Sequence, residues 1–221
     1  MDILWPPFET PSLAHPFRLQ AERAFGLGKF RKIIHRAEGP IGACRVTVAN
    51  AVLQNGGSPV SGWHIHVWPN LFFEALAHYV WRPPGGALID LTCKYPSDRS
   101  HHSVFIPSRD PAFGDSLHSR YFILNQAPEV HVLIDAARKQ AENRQRIERN
   151  VRLRLGSGAR KAYPLLGQAN DEEMYVLAND ERWVGVAIRA CQDLCARKYP
   201  GLRPPNWNTP TATGMRPSSK S

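Results

Sequence analysis

Apolar and polar positions follow a helical period early in the chain and a period of two in its middle. Residues 1–15 read as extended and are punctuated by prolines. Residues 17–36, FRLQAERAFGLGKFRKIIHR, predict a helix or two, interrupted at Gly26 and Gly28 and ended by Gly39-Pro40. Residues 41–57, IGACRVTVANAVLQNGG, predict a helix with Cys44 in its first turn. It offers Val46, Val48, Ala49, Val52 and Leu53 to a core and stops at Asn55-Gly56-Gly57. Strict alternation follows at 58–69, SPVSGWHIHVWP, and at 76–82 and 86–92, which flank the turn Pro83-Pro84-Gly85. SVFIPS and SRYFILN add two more strands.

The C-terminal half returns to the helical period. A long helix is expected over 129–155, with apolar residues at 130, 134, 137, 141, 151 and 155 forming its inner stripe. Two shorter helices are expected at 171–178 and 180–198, and a disordered tail at 200–221, rich in Pro, Thr and Ser. There is no internal repeat. These elements predict one α+β domain over 1–199: a core at 41–126 whose antiparallel sheet packs on the Cys44 helix, and a helical part at 129–199.

Composition narrows the class. With 43% hydrophobic and 10% aromatic residues the chain has the material for a packed core. No apolar run approaches the roughly 20 residues a bilayer span needs. The N-terminus lacks a basic segment followed by an apolar one, so a cytoplasmic location is expected, with leaderless export also open. The four cysteines form no C-x-x-C pair, which argues against a disulfide scaffold. Cys191 and Cys195 share a helix face, but zinc needs two more ligands, and packing as small apolar residues accounts for them. The net charge of +9 points to an acidic partner and is concentrated at 138–161 and in the tail.

Chemistry enters at the hairpin around Pro83-Pro84-Gly85. A three-residue loop pairs Arg82 with Gly86 and sets His78 opposite Asp90 on one face, whereas a four-residue loop breaks that parity. Tyr79, Trp81, Ile89 and Leu91 then form an apolar opposite face, while His78 and Asp90 lie beside Val80 and Leu88. A carboxylate there fixes the tautomer of the imidazole and leaves its other nitrogen for a partner. Cys44 supplies the third group: a thiol at a helix N-terminus, where the macrodipole favours thiolate, makes with them a Cys-His-Asp triad.

The order G-x-C opening a helix, GGSPVSGW, H-x-V-W and G-x-L-I-D-L-T resembles the core of the transglutaminase-like branch of the papain-like cysteine hydrolases. The matching positions are Cys44, Gly57-Ser58-Pro59 with Gly62, His78 with Trp81, and Asp90 with Thr92, within about residues 41–95. Trp81 stands one position later than the tryptophan of the family's His-Ala-Trp. The resemblance implies a papain-like fold. It also implies Cys44 as nucleophile, His78 as general base and acid, and Asp90 as the residue that orients His78. The reaction would be thiolate attack on a peptide or carboxamide carbonyl, then hydrolysis or transfer of the acyl group. The substrate is then a protein, a peptide or a small amide, and no cofactor or metal is called for. Trp63 or Gln54 is a candidate for lining the oxyanion site, and Glu74 for tuning the site's charge or holding a loop.

Other readings stay open on the residues alone. Cys44 fits a core position, His78 a half-buried structural histidine, and Asp90 a polar residue near a turn. His64 and His66 on one strand face, followed by Glu74 and His78, fit a metal-binding, cupin-like arrangement, although cupins place the glutamate closer to the second histidine. His101-His102 reads as a loop pair. Arg138, Arg144, Arg149 and Arg152 are read first as a solvated face whose long stems lie over a core stripe, with a nucleic-acid-binding module as the alternative.

Overall fold

Ser58–Trp68 (β2) and Phe72–Arg82 (β3) form a long hairpin paired from Ser58 opposite Arg82 to Trp68 opposite Phe72. The computed structural model describes residues 6–108, 118–156 and 165–200. The remaining elements are Arg18–Phe25 (α1), Arg31–Gly39 (β1), Cys44–Asn55 (α2), Ile89–Thr92 (β4), His102–Pro107 (β5), Arg120–Ile123 (β6), Pro128–Leu155 (α3) and Asp171–Lys198 (α4). The architecture is α+β. Among these strands the order is β2-β5-β1-β4-β3, and β3 pairs back onto β2, so the sheet closes into a small barrel. β6 continues the edge of β3 beyond β4, against residues 72–75.

The sheet is mixed, not antiparallel throughout: β1 runs parallel to β4, with Ile34 beside Ile89 and His35 beside Asp90. Parallel neighbours need a long crossover, and here α2 and the β2–β3 hairpin supply it. The stretch expected to be helical to residue 36 is helix only to Phe25. Gly26, at φ 64°, ends α1. Residues 31–39 then alternate as a strand, Ile33 turning into the barrel while Ile34 stays half exposed. RKII satisfies a helical and a strand pattern equally, and its partners β4 and β5 decide between them.

Period-two alternation separates the two faces of the barrel wall. Ile33, Val80 and Phe105 fill the interior. Outside, Trp63, Ile65, Phe73, Val104 and Ile106 pack under α1, while Tyr79, Trp81, Ile89 and Leu91 pack under Val48 and Ala51 of α2. Ala49 and Leu53 of α2, expected as core, face solvent. Gly62 stands where the wall is tightest: a Cβ there would lie 2.3 Å from the carbonyl oxygen of Ile106 and 2.4 Å from the Phe105 ring.

The far end of the hairpin, with Phe8, Trp68, Leu71 and Phe72, is covered by the α3–α4 helical pair through Val130, Leu133, Ile134, Ile188 and Cys191. α4 is one helix where two were expected. Asn170 caps it in a capping box with Glu173. Its midpoint carries the buried Asp180, which accepts a 2.8 Å hydrogen bond from Asn143 of α3. The polar pair Asn179-Asp180, which reads as a break, is thus met by the neighbouring helix. The expected tail at 200–221 lies, apart from Pro200, outside the described residues.

Candidate active site

Six residues, 83–88, connect β3 to β4, and the printed register sets Trp81 opposite Ile89. Continued along both strands, that register places Asp90 opposite Val80 and Thr92 opposite His78. The pairing is therefore two residues away from the expected one. An even shift keeps every side chain on its face. His78 and Asp90 both point into the barrel as diagonal neighbours, and the long imidazole spans the gap: its Nε2 lies 2.9 Å from Asp90 Oδ1.

β4 ends opposite His78, and β6 takes up the same edge of β3 only at Ala75. Cys44, the first residue of α2, meets β3 beside that end of β4, where its thiol is hydrogen-bonded to the His78 side chain and to backbone at Tyr79 and Arg45. Two anchors aim the helix. The Trp81 indole donates a 3.0 Å hydrogen bond to the carbonyl of Gly56 at its C-terminal end. Thr47 in its first turn fills the space beside Gly39, where a Cβ would lie 2.0 Å from Thr47 Oγ1. Ala43 offers no side-chain cap, so the positive end of the helix is left to the thiol.

The charges follow from these contacts. Burial pushes the Cys44 thiol up, but the hydrogen bond to His78 and the charge on that ring outweigh it, and the thiol sits below its ordinary value. Burial pushes His78 down, yet the charge and hydrogen bond of Asp90, joined by Cys44, lift it to about 10. Asp90 is opposed by burial and still held well below the usual carboxylate range, first by His78 and then by His64 and Thr92. The shifts all run one way: they favour a thiolate, an imidazolium and a carboxylate side by side. With Nε2 given to Asp90, Nδ1 is the nitrogen left to face the sulfur.

Two partners of Asp90 were not read from the sequence as site residues. Thr92 donates to Oδ1 from its Oγ1 at 2.6 Å and from its backbone N–H at 3.2 Å, and that Oγ1 is also 3.2 Å from His78 Nε2. The i, i+2 spacing on one strand face carries the signal for Thr92. Ser103 of β5 donates to Oδ2 at 2.7 Å. It reaches Asp90 across β1, which β4 and β5 flank, and nothing local to SVFIPS announces it.

The other candidates fall elsewhere. Trp63 is buried on the outer face under α1. Gln54 is exposed in the last turn of α2, ten residues beyond Cys44 and so about 15 Å along the helix. Glu74 is buried in the wall opposite His66 and accepts a 3.1 Å hydrogen bond from Tyr121; burial pushes its carboxyl up. His64 and His66 line the interior, with ring centroids 4.1 Å apart, and burial holds His64 down to about 3 and His66 well below its ordinary value. His64 stands 4.9 Å from the His78 ring, and its Nδ1 is 3.7 Å from Asp90 Oδ2. Of the cupin-like set, the structure brings His64 and His78 together with Asp90 as a group with metal-ligating donors; His66 and Glu74 stand outside it.

The arginines of α3, including Arg138, Arg144, Arg149 and Arg152, are exposed. Cys191 is buried and donates to the carbonyl of Glu129, and burial pushes both its thiol and that of Cys195 up. No helix among the described residues is long and apolar enough to cross a membrane. Comparison with protein-family models, with curated proteins and with solved structures finds no match for this chain.

Proposed function

We propose that this chain is a thiol hydrolase or acyl transferase of the transglutaminase-like, papain-like kind, acting on a peptide or carboxamide bond. One observation carries the reading: the Cys44 thiol, the His78 ring and the Asp90 carboxylate form a single hydrogen-bonded line at a helix N-terminus. The thiolate attacks the carbonyl carbon, forming a C–S bond and an oxyanion. The backbone N–H of Cys44, at the uncapped helix start, is the donor proposed for that oxygen. The His78 imidazolium gives a proton to the leaving amine as the C–N bond breaks, leaving an acyl-enzyme. Neutral His78 then takes a proton from water or from an acceptor amine as it attacks the thioester, and the thiolate is regenerated. Asp90 holds the ring and its charge throughout.

Alkylation kinetics test this directly, because the chain contains its own reference: Cys93 is an exposed free thiol. Iodoacetamide at pH 6 is expected to label Cys44 at least ~10-fold faster than Cys93, since the thiolate is the nucleophile. Equal rates, or slower labelling of Cys44, would overturn the proposal. Brief exposure to p-nitrophenyl acetate is expected to leave an acetyl group on Cys44, absent in Cys44→Ala.

A further inference from the structure

The barrel interior holds one more ring at this site than the proposed chemistry uses. His64 is 94% buried, its Nε2 has no hydrogen-bond partner, and its Nδ1 faces Asp90 Oδ2 at 3.7 Å. That separation is too long for a hydrogen bond. It is close to the spacing of two ligands on one zinc ion: donors about 2.0–2.1 Å from the metal at a tetrahedral angle stand roughly 3.3–3.4 Å apart. Asp90 Oδ1 is crowded by His78 and Thr92, whereas Oδ2 accepts from Ser103 and has a lone-pair direction left. The donor atoms of His64, His78 and Asp90 all lie within 4.8 Å of one another.

We propose that His64, His78 and Asp90 form a zinc-binding site nested on the triad, and that zinc binding and the His78–Asp90 hydrogen bond exclude each other. Two imidazoles and a carboxylate are a zinc ligand set that leaves a fourth position for water. Binding forms bonds from the metal to His64, to Asp90 Oδ2 and to His78 Nε2. The N–H bond at His78 Nε2 breaks; its proton goes to solvent from an imidazolium or to Nδ1 from a neutral ring, and the bound ring carries its one proton on Nδ1. The Nδ1 proton of a ring so held departs only by making an imidazolate, so His78 no longer cycles between acid and base. As a metal site the proposal stands on the three side chains alone; as an off-switch it rests on the role proposed for His78.

The experiment is a zinc titration of the full chain carrying Cys44→Ala and Cys93→Ser, so that neither thiol supplies a ligand. Calorimetry is expected to give one zinc bound per chain. In ¹⁵N spectra the His78 Nε2–H signal is expected to vanish as zinc is added. His64→Gln is expected to weaken this binding by at least the ~100-fold that marks the upper range for loss of mere outer-shell partners. His66→Gln, on the same strand face and as deeply buried, is expected to leave it within a few-fold. Binding lost with Cys44, a His78 Nε2–H signal that persists with zinc bound, or equal loss in His64→Gln and His66→Gln would each overturn the site. Rapid Cys44 alkylation in metal-free wild type reads the thiol proposal separately.

Discussion

The Nε2 of His78 lies 2.9 Å from Oδ1 of Asp90 inside the barrel, and the carboxylate that holds it is only 1% exposed. A charge at that depth persists only if it is paired and hydrogen-bonded. His78 pairs it, and Thr92 and Ser103 supply the hydrogen bonds. The polar cluster is thus a strut joining β3, β4 and β5, and it is the site proposed for the chemistry.

Asp90→Asn keeps the shape and removes the charge. The His78 ring then loses what lifts it against burial, and the thiolate loses its counter-ion. Breaking a buried ion pair from one side costs about 3–5 kcal/mol. The variant is expected to unfold at markedly lower urea, and its Cys44 to alkylate at pH 6 no faster than Cys93. Retention of fast labelling would remove Asp90 from the line.

Thr92→Val removes a hydroxyl that donates to Asp90 at 2.6 Å while keeping the branched shape of a strand residue. A hydrogen bond to a charged group is worth about 1.5–3 kcal/mol. Ser103→Ala removes the contact to the other oxygen, with a loss of similar size. Because both bonds end on one carboxylate, the double variant is expected to differ from the sum of the singles, measured by urea unfolding of all four proteins. Strict additivity would mean that the two hydroxyls do not share a partner.

How much of this arrangement is legible in the residues depends on the range of the interaction. α2, with Cys44 at its start, and the alternation of β2 are written locally and occur where the periodicities put them. The facing of His78 and Asp90 survives a mistaken register, because an error of two leaves parity intact. The strand nature of 31–39 is not legible, since RKII suits either element until β4 and β5 bind its two edges. The parallel β1–β4 pair, the closure of β2 on β5, and with them Ser103 at Asp90, are long-range events that no window of sequence contains. Trp63, a candidate for the oxyanion site, stands at an odd-numbered place on β2 that turns it to the α1 side.

Gly62→Ala tests the closure itself. Gly62 lies opposite His78, and the added methyl would meet the Ile106 carbonyl at 2.3 Å and the Phe105 ring at 2.4 Å. The carbonyl belongs to the wall, so the β2–β5 seam has to move. Overpacking of this kind typically costs about 1–3 kcal/mol. The expected result is a lower melting temperature together with slower Cys44 alkylation at pH 6. An unchanged melting temperature would show that the seam yields easily.

The pH dependence of stability follows from the signs of two shifts. His78 is raised from 6.5 to about 10, so its contribution is complete below pH 6.5 and is lost as pH climbs toward 10. Asp90 is lowered from 3.8, so its contribution is complete above pH 3.8 and is lost as pH falls through its depressed value. The gap in unfolding free energy between wild type and Asp90→Asn is therefore expected to be widest between pH 3.8 and 6.5 and to narrow steadily toward pH 10. Turnover in the proposed reaction is expected to rise as Cys44 ionises, below its ordinary 9.0, and to fall near pH 10, where His78 no longer carries the proton the leaving amine needs. Urea unfolding of both proteins at half-unit steps from pH 4 to 10 measures the first effect, and a gap that stays flat across that range would mean that the two side chains do not share a charge.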